Sequence, residues 1–259
     1  MQDEQKIAII QSDLVWEQPN QNRQNFENKI KQIKESVDII VLPEMFSSGF
    51  TMNPEHVSET MEGETIFWMK EVAIRSNSAV CGSLVISEND NYYNRFLFVT
   101  PDGVLEYYDK RHTFALAGES EVYTAGNERL MIKYKGWNIF PLVCYDLRFP
   151  VWSRNTDNYD VVIYVANWPK PRINAWDTLL KARAIENMSY CVGVNRVGVD
   201  NYNHEYSGHS AVYDGLGERI LNIKPNTEAT AIITLDKEHL KTIRQQLKFL
   251  DDKDEFTLK

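Results

Sequence analysis

What this chain lacks narrows it quickly. Its 259 residues hold only three cysteines, Cys81, Cys144 and Cys191, widely spaced and odd in number. They read as free thiols of a reducing cytoplasm rather than as a disulfide framework. No Cys-x-x-Cys, His-Glu-x-x-His or phosphate-loop pattern occurs, so neither a metal nor a nucleotide or other cofactor is inferred. There is no apolar run long enough to span a bilayer. The start, Met1 to Lys6, is polar and has no signal-peptide core, so no membrane partner is expected. Positive charge is in short supply: 28 Lys and Arg against 37 Asp and Glu give a net charge of -9. That balance argues against nucleic acid as the main partner and still allows a local cationic pocket. Internal repeats and low-complexity linkers are also missing.

What is present is ordinary globular material, 43% hydrophobic and 25% charged, enough for one large core. The expectation is a single domain over 1–259, with its core over about 6–247 and a charged tail, 248–259, as an arm or a partly disordered segment. Lys6 to Ser12 reads as a first strand. Asn22 to Ser36 carries Phe26, Ile30 and Ile33 at helical spacing, with Val37 continuing the pattern. Val37 to Leu42 is a β-branched second strand that runs into Pro43-Glu44. A strand–helix–strand unit of this length implies a parallel pair with a right-handed crossover. Gly63 to Ser76 reads as a helix packing through Phe67, Met69, Val72 and Ala73. Ala79 to Ser87 and Asn91 to Thr100 read as paired strands, and Val104 to Tyr108 as another. Thr113 to Asn127 has no period and reads as a long loop, the kind that often carries function. Tyr159 to Ala166 and Tyr190 to Val197 are strands flanking a helix, Asn174 to Ser189. Asn201 to Ser207 reads as a polar loop, and short strands then lead to a last helix, Lys237 to Leu247, capped by Asp236. Helices alternating with β-rich runs give the α/β class, and the late short strands imply mixed sheets.

The stretch Leu142-Val143-Cys144-Tyr145-Asp146-Leu147-Arg148-Phe149-Pro150 organises the rest. The apolar run Trp137 to Val143 ends on a thiol, and Pro150 stands where a helix could begin. Backbone N–H groups at such a turn lower a thiol pKa and can hold an oxyanion. A buried structural cysteine is the plainer alternative. Glu44 and Lys110 also stand at the ends of apolar strands. With Cys144 they make a hydrolytic set: the thiol attacks a carbonyl, the carboxylate takes its proton and later activates water, and the ammonium faces the oxyanion beside the N–H of Tyr145. Taken singly, Glu44 could be an exposed carboxylate and Lys110 one charge in a solvated Asp-Lys-Arg run.

With these residues in place the sequence resembles the nitrilase (carbon–nitrogen hydrolase) superfamily, from Ile7 to about Leu247. Leu42-Pro43-Glu44-Met45-Phe46, Tyr108-Asp109-Lys110-Arg111-His112 and Cys144 to Pro150 are similar to its glutamate, lysine and cysteine motifs. Arg183-Ala184-Ile185-Glu186-Asn187 matches a helix segment common in the family. The resemblance implies a four-layer α-β-β-α sandwich, assembled as a homodimer. It implies Glu44 as general base, Lys110 as oxyanion stabiliser and Cys144 as nucleophile. It also implies a second glutamate in the loop after the lysine, at Glu119, with Glu121 as the alternative. Within the superfamily the likeness is to the omega-amidase branch, through Leu142 to Arg154 and Tyr164 to Pro169. That branch implies hydrolysis of the terminal amide of 2-oxoglutaramate or 2-oxosuccinamate, and hence a cation for the substrate carboxylate. Arg148, Lys170, Arg172 and Arg196 are the candidates, with an internal salt bridge from Arg148 to Asp146 or Glu186 as the alternative. Asn167, Trp168 and Trp176 are candidate pocket residues, although aromatic residues at such positions also serve as core.

Two rival classes remain. A cysteine peptidase would pair Cys144 with one of His56, His112, His204, His209 and His239. A non-catalytic interaction module would be expected to carry a broken triad. A different small amide, nitrile or carbamoyl substrate within the same superfamily is the reading the sequence separates least.

Overall fold

The computed structural model describes residues 2–258. Its first half runs β1 (Glu4–Gln11), α1 (Pro19–Lys31), β2 (Ile39–Val41), α2 (Pro54–Val57), α3 (Glu64–Ser76), β3 (Ala79–Glu88), β4 (Asn91–Val99), β5 (Leu105–Asp109) and α4 (Glu119–Val122). The second half runs β6 (Ile132–Tyr134), β7 (Trp137–Val143), α5 (Pro150–Ser153), β8 (Val161–Ala166), α6 (Ile173–Asn187) and β9 (Tyr190–Asn195). It closes with β10 (Val197–Val199), β11 (Glu205–Ser207), β12 (Ala211–Tyr213), β13 (Arg219–Asn222), β14 (Ala229–Asp236) and α7 (Lys237–Leu247).

Two six-stranded sheets result, ordered β14-β1-β2-β3-β4-β5 and β13-β12-β9-β8-β7-β6, with β10 and β11 as a separate ribbon. Each has a parallel centre, β1–β2–β3 in one and β7–β8–β9 in the other. Antiparallel strands flank both centres. The alternation of side chains along each strand explains the layering. Ile7, Ile9, Ile39, Val41, Phe96 and Phe98 face the second sheet. Their neighbours Ala8, Ile10, Ile40, Leu42, Leu97 and Val99 face Phe26 of α1 and Ile66, Met69 and Val72 of α3. On the far side, Trp176, Leu180 and Ala184 of α6 and Leu240 and Ile243 of α7 cover the second sheet. Both sheets are therefore buried on both faces, and the four layers are helix, sheet, sheet, helix.

Several expectations shift. α1 begins at Pro19, a residue suited to a first turn, and ends at Lys31, so Ile33 and Val37 lie beyond it. Phe67 points outward from α3 at 62% exposure, while Met69, Val72 and Ala73 pack as expected. The 113–127 stretch is not all loop, since it holds a 3-10 turn, Ala115–Ala117, and α4. The Tyr190 strand stops at Asn195, and Glu205–Ser207 of the polar loop forms β11. Asp236 caps α7 as expected, its carboxylate accepting the N–H groups of Glu238 and His239.

Candidate active site

The carboxyl ends of four strands converge on one point. Glu44 lies just past β2, and Lys110, Cys144 and Asn167 directly follow β5, β7 and β8. Glu119 opens α4 and points back toward them. Lys110 is 1% exposed, so it is no member of a solvated charge run. Its Nζ donates to Glu44 Oε1 at 2.9 Å and to Glu119 Oε1 and Oε2 at 3.0 and 2.9 Å. Glu121, two residues on, is exposed. Asn167 holds the other side of the base: its N–H donates to Glu44 Oε2 at 2.7 Å and its Nδ2 to the Glu44 carbonyl at 2.6 Å. The N–H of Phe114 donates to Glu119 Oε2 at 2.5 Å.

Cys144 sits at the turn from β7 into a 3-10 turn, Cys144–Arg148, with φ at +45°. A side chain there costs roughly 1–3 kcal/mol, so the surroundings must hold the turn in place. Asp146 does much of this. Its Oδ2 accepts from the Val143 N–H at 3.0 Å and from the Tyr108 hydroxyl at 2.8 Å. Its Oδ1 accepts from the His112 N–H at 3.0 Å and lies 2.8 Å from His112 Nδ1. From α6, Arg183 Nη2 donates to the Leu147 carbonyl at 2.6 Å, and Nη1 binds Glu186. The Arg-Ala-Ile-Glu-Asn segment is thus a brace for the cysteine turn. The Tyr145 N–H is at the start of that turn, where early N–H groups have no partner within it.

The electrostatics correct one expectation. Desolvation first, and then the charge of Glu44, push the Cys144 thiol well above its ordinary value, against the pull of Lys110. That shift favours the protonated thiol at Cys144. Burial also lifts Glu119 above the ordinary carboxylate range, with Lys110 opposing. Burial opposes the charge on Lys110 too, but Glu119 and Glu44 outweigh it and keep it a firm cation.

Cys144 and Lys110 open into a cavity of about 950 Å³. Phe50, Met52, Phe114 and Trp168 give it apolar walls, and Tyr202, His204 and Tyr206 border it. Arg148 and Arg172 line it, Arg148 lying over the Trp168 ring at 4.9 Å and Arg172 over Phe114 at 5.0 Å. Neither guanidinium has a hydrogen-bond or salt-bridge partner among the described residues, whereas every other arginine there has one. The expected pairing of Arg148 with Asp146 or Glu186 does not form, because Asp146 is saturated by the turn and Glu186 is held by Arg183. Lys170 lines the cavity but pairs with Glu205. Arg196 does not line it; it is fully buried, tied to Asp13 at 2.7 Å. Trp176 does not line it either. It is core, with its indole N–H on the His209 carbonyl and its ring packed 5.6 Å from Trp168. Asn167 reaches the cavity wall, but its donors serve Glu44.

Four of the five histidines are held by carboxylates, and His56 is exposed on α2. His112 and His204 are bound to Asp146 and Asp200, His209 to Asp177 and His239 to Asp214. Two contributors escaped the sequence reading, Asn94 and Asp146. Asn94 Nδ2 donates to Glu44 Oε1 at 2.8 Å and to Glu119 Oε1 at 3.2 Å.

Comparison with known proteins agrees with this arrangement. The family described as carbon-nitrogen hydrolase matches residues 6–245. The chain is 44% identical over 253 residues to omega-amidase YafV of Yersinia enterocolitica, covering 98% of each. It is 30% identical over 251 residues to 2-oxoglutaramate amidase of Bacillus subtilis, covering 95% of this chain and 96% of that one. A solved structure of XC1258 from Xanthomonas campestris, a CN-hydrolase superfamily protein with an arsenic adduct in its active site, superposes with a TM-score of 0.97 at 39% identity, covering 100% of both chains. With its strand-end thiol, carboxylates and lysine set in two helix-covered sheets, this chain belongs to the carbon–nitrogen hydrolase family.

Proposed function

We infer that this protein is an omega-amidase, hydrolysing the terminal amide of small 2-oxo dicarboxylic acid monoamides, 2-oxoglutaramate and 2-oxosuccinamate, to the 2-oxo acid and ammonia. The observation that carries the substrate class is the pair Arg148 and Arg172. Two guanidinium groups without a hydrogen-bond or salt-bridge partner among the described residues, in a cavity that ends on the thiol, leave their charge for a carboxylate brought by the substrate. The names of the similar amidases support the same reading.

In the mechanism, Cys144 Sγ attacks the amide carbon as Glu44 takes its proton. The carbonyl oxygen gathers negative charge, which the fixed positive charge of Lys110 and the Tyr145 N–H stabilise. The C–N bond breaks, the nitrogen collects the proton from Glu44, and ammonia leaves. The thioester then meets a water molecule whose proton passes to Glu44 as the oxygen attacks. The C–S bond breaks, the thiol regains its proton, and the acid departs. Glu119 holds Lys110 over the site throughout. A single carbon–nitrogen hydrolase domain, assembled as a homodimer in the cytoplasm, is part of this reading, and the free cysteines fit a reducing compartment.

The cavity volume favours a second reading, a larger amide or a carbamoyl compound, since about 950 Å³ is at the upper end for small-molecule sites. One assay separates the two. Ammonia release is measured from 2-oxoglutaramate, succinamate, glutamine and a simple nitrile, with Cys144→Ala in parallel. Cys144-dependent release from the 2-oxo amide, with glutamine inert, is expected. Release from none of the small amides would sink the omega-amidase assignment.

A further inference from the structure

Asn94 lies in β4 at 1% exposure, on the face through which Phe96 and Phe98 meet the second sheet. Its two Nδ2 hydrogens have two acceptors, Glu44 Oε1 and Glu119 Oε1. The amide cannot be turned over. Ser83 Oγ accepts from the Met45 N–H at 2.8 Å and gives its one hydrogen to Asn94 Oδ1 at 2.8 Å. A flipped amide would set its oxygen against both carboxylates and leave the Ser83 hydroxyl hydrogen without its acceptor.

Two carboxylates beside one cation carry a net negative charge, and such pairs readily take up a proton. Lys110 has three hydrogens, and its contacts to Glu44 Oε1 and both oxygens of Glu119 use them all. The donor left to face both carboxylates is Asn94. The remaining titratable groups around the pair are Cys144 and Tyr123, with Tyr206 beyond the thiol. Burial pushes both tyrosines well above their ordinary range, so neither titrates on the acid side.

We propose that Asn94 is a positioning residue, whose amide hydrogens hold Glu44 and Glu119 as two separate carboxylates and so leave Glu44 free to take the Cys144 proton. This rests on Glu44 and Cys144 as base and nucleophile, but not on the identity of the amide. The test therefore needs no substrate. The rate of iodoacetamide alkylation at Cys144, followed by mass spectrometry of its peptide, is measured against pH for the full chain and for Asn94→Ala and Asn94→Asp. The acid limb is expected to move up by about one pH unit in Asn94→Ala and further in Asn94→Asp, which puts a third carboxylate at the spot. In the amidase assay, kcat should follow the same shift, with KM changed less than about threefold.

Asn94→Asp nearly keeps the shape of the side chain. If the residue only filled space, that variant would keep the wild-type limb, and this result would overturn the proposal. Where Asn94→Ala does not fold, judged by circular dichroism and Tm, Asn94→Ser and Asn94→Asp give the same readout. Failure of all three to fold would assign Asn94 to the fold and would equally overturn it. A wild-type Cys144 that resists alkylation at every pH would remove the nucleophile reading beneath it. Normal alkylation without ammonia release would touch the substrate reading alone.

Discussion

Cys191 lies within the second sheet and Cys144 just past the end of one of its strands, and they differ in almost everything that decides what a thiol can do. Cys191 is in the middle of β9, fully buried, and burial pushes its thiol far above the ordinary value. Cys81, in β3, is in the same condition. The Cys144 thiol is pushed up as well. A raised thiol pKa is therefore common to all three cysteines and does not separate them. What separates them is a base within reach, a fixed cation, an opening to a cavity and a backbone turned to φ +45°. Burial makes the proton hard to lose, and only Cys144 has somewhere to put it.

Replacing Cys144 with alanine should break this contrast outright. Turnover of 2-oxoglutaramate should fall by about 10³-fold or more, as for other nucleophile deletions, with CD unchanged; substantial residual ammonia release would discard the nucleophile. Lys110→Ala should cost about 10²-fold or more in kcat, and a near-normal rate would take Lys110 out of the oxyanion site. Acidification should act on the same pair of carboxylates. Glu119 is held above its ordinary range by burial, so its proton uptake begins at a higher pH than for a free glutamate. Activity should accordingly decline on the acid side while the fold persists, and coincident loss of activity and structure would argue against it. Arg148→Met and Arg172→Met should each raise KM for 2-oxoglutaramate about 10-fold, the worth of a charge-assisted bond, with kcat changed far less. An unchanged KM in both would leave the carboxylate without its site. The smallest effect belongs to Cys191→Ala. It should leave kcat/KM alone and lower stability by about 1 kcal/mol in urea unfolding.

Glu44, Lys110 and Cys144 were legible because each is a polar residue standing directly after an apolar strand, a pattern that needs no knowledge of neighbours. The α/β class followed from helices alternating with β-rich runs, and the helix-covered sheets from the family resemblance. Glu119 and Glu121 could not be told apart by pattern. One is buried against Lys110 and the other exposed because α4 turns them in different directions. Asn94 and Ser83 went unseen although a signal existed. Ser83 follows Ala79 and Cys81, and Asn94 precedes Phe96 and Phe98, at alternate positions on faces that should have stayed apolar. Polar residues at inward positions toward one end of two adjacent strands mark the place where the core becomes a site. Arg148 and Trp176 were not legible, since a long side chain at a turn and a large ring on a helix take their partners from parts of the chain far away.

The left-handed turn at Cys144 has a consequence for heritable change. Glycine adopts that backbone freely, so Cys144→Gly should relieve strain of about 1 kcal/mol while erasing the enzyme. The dead protein should outlast the live one on heating. A population screened for heat tolerance alone would drift toward chains that no longer release ammonia, and only a demand for turnover keeps this cysteine in its turn.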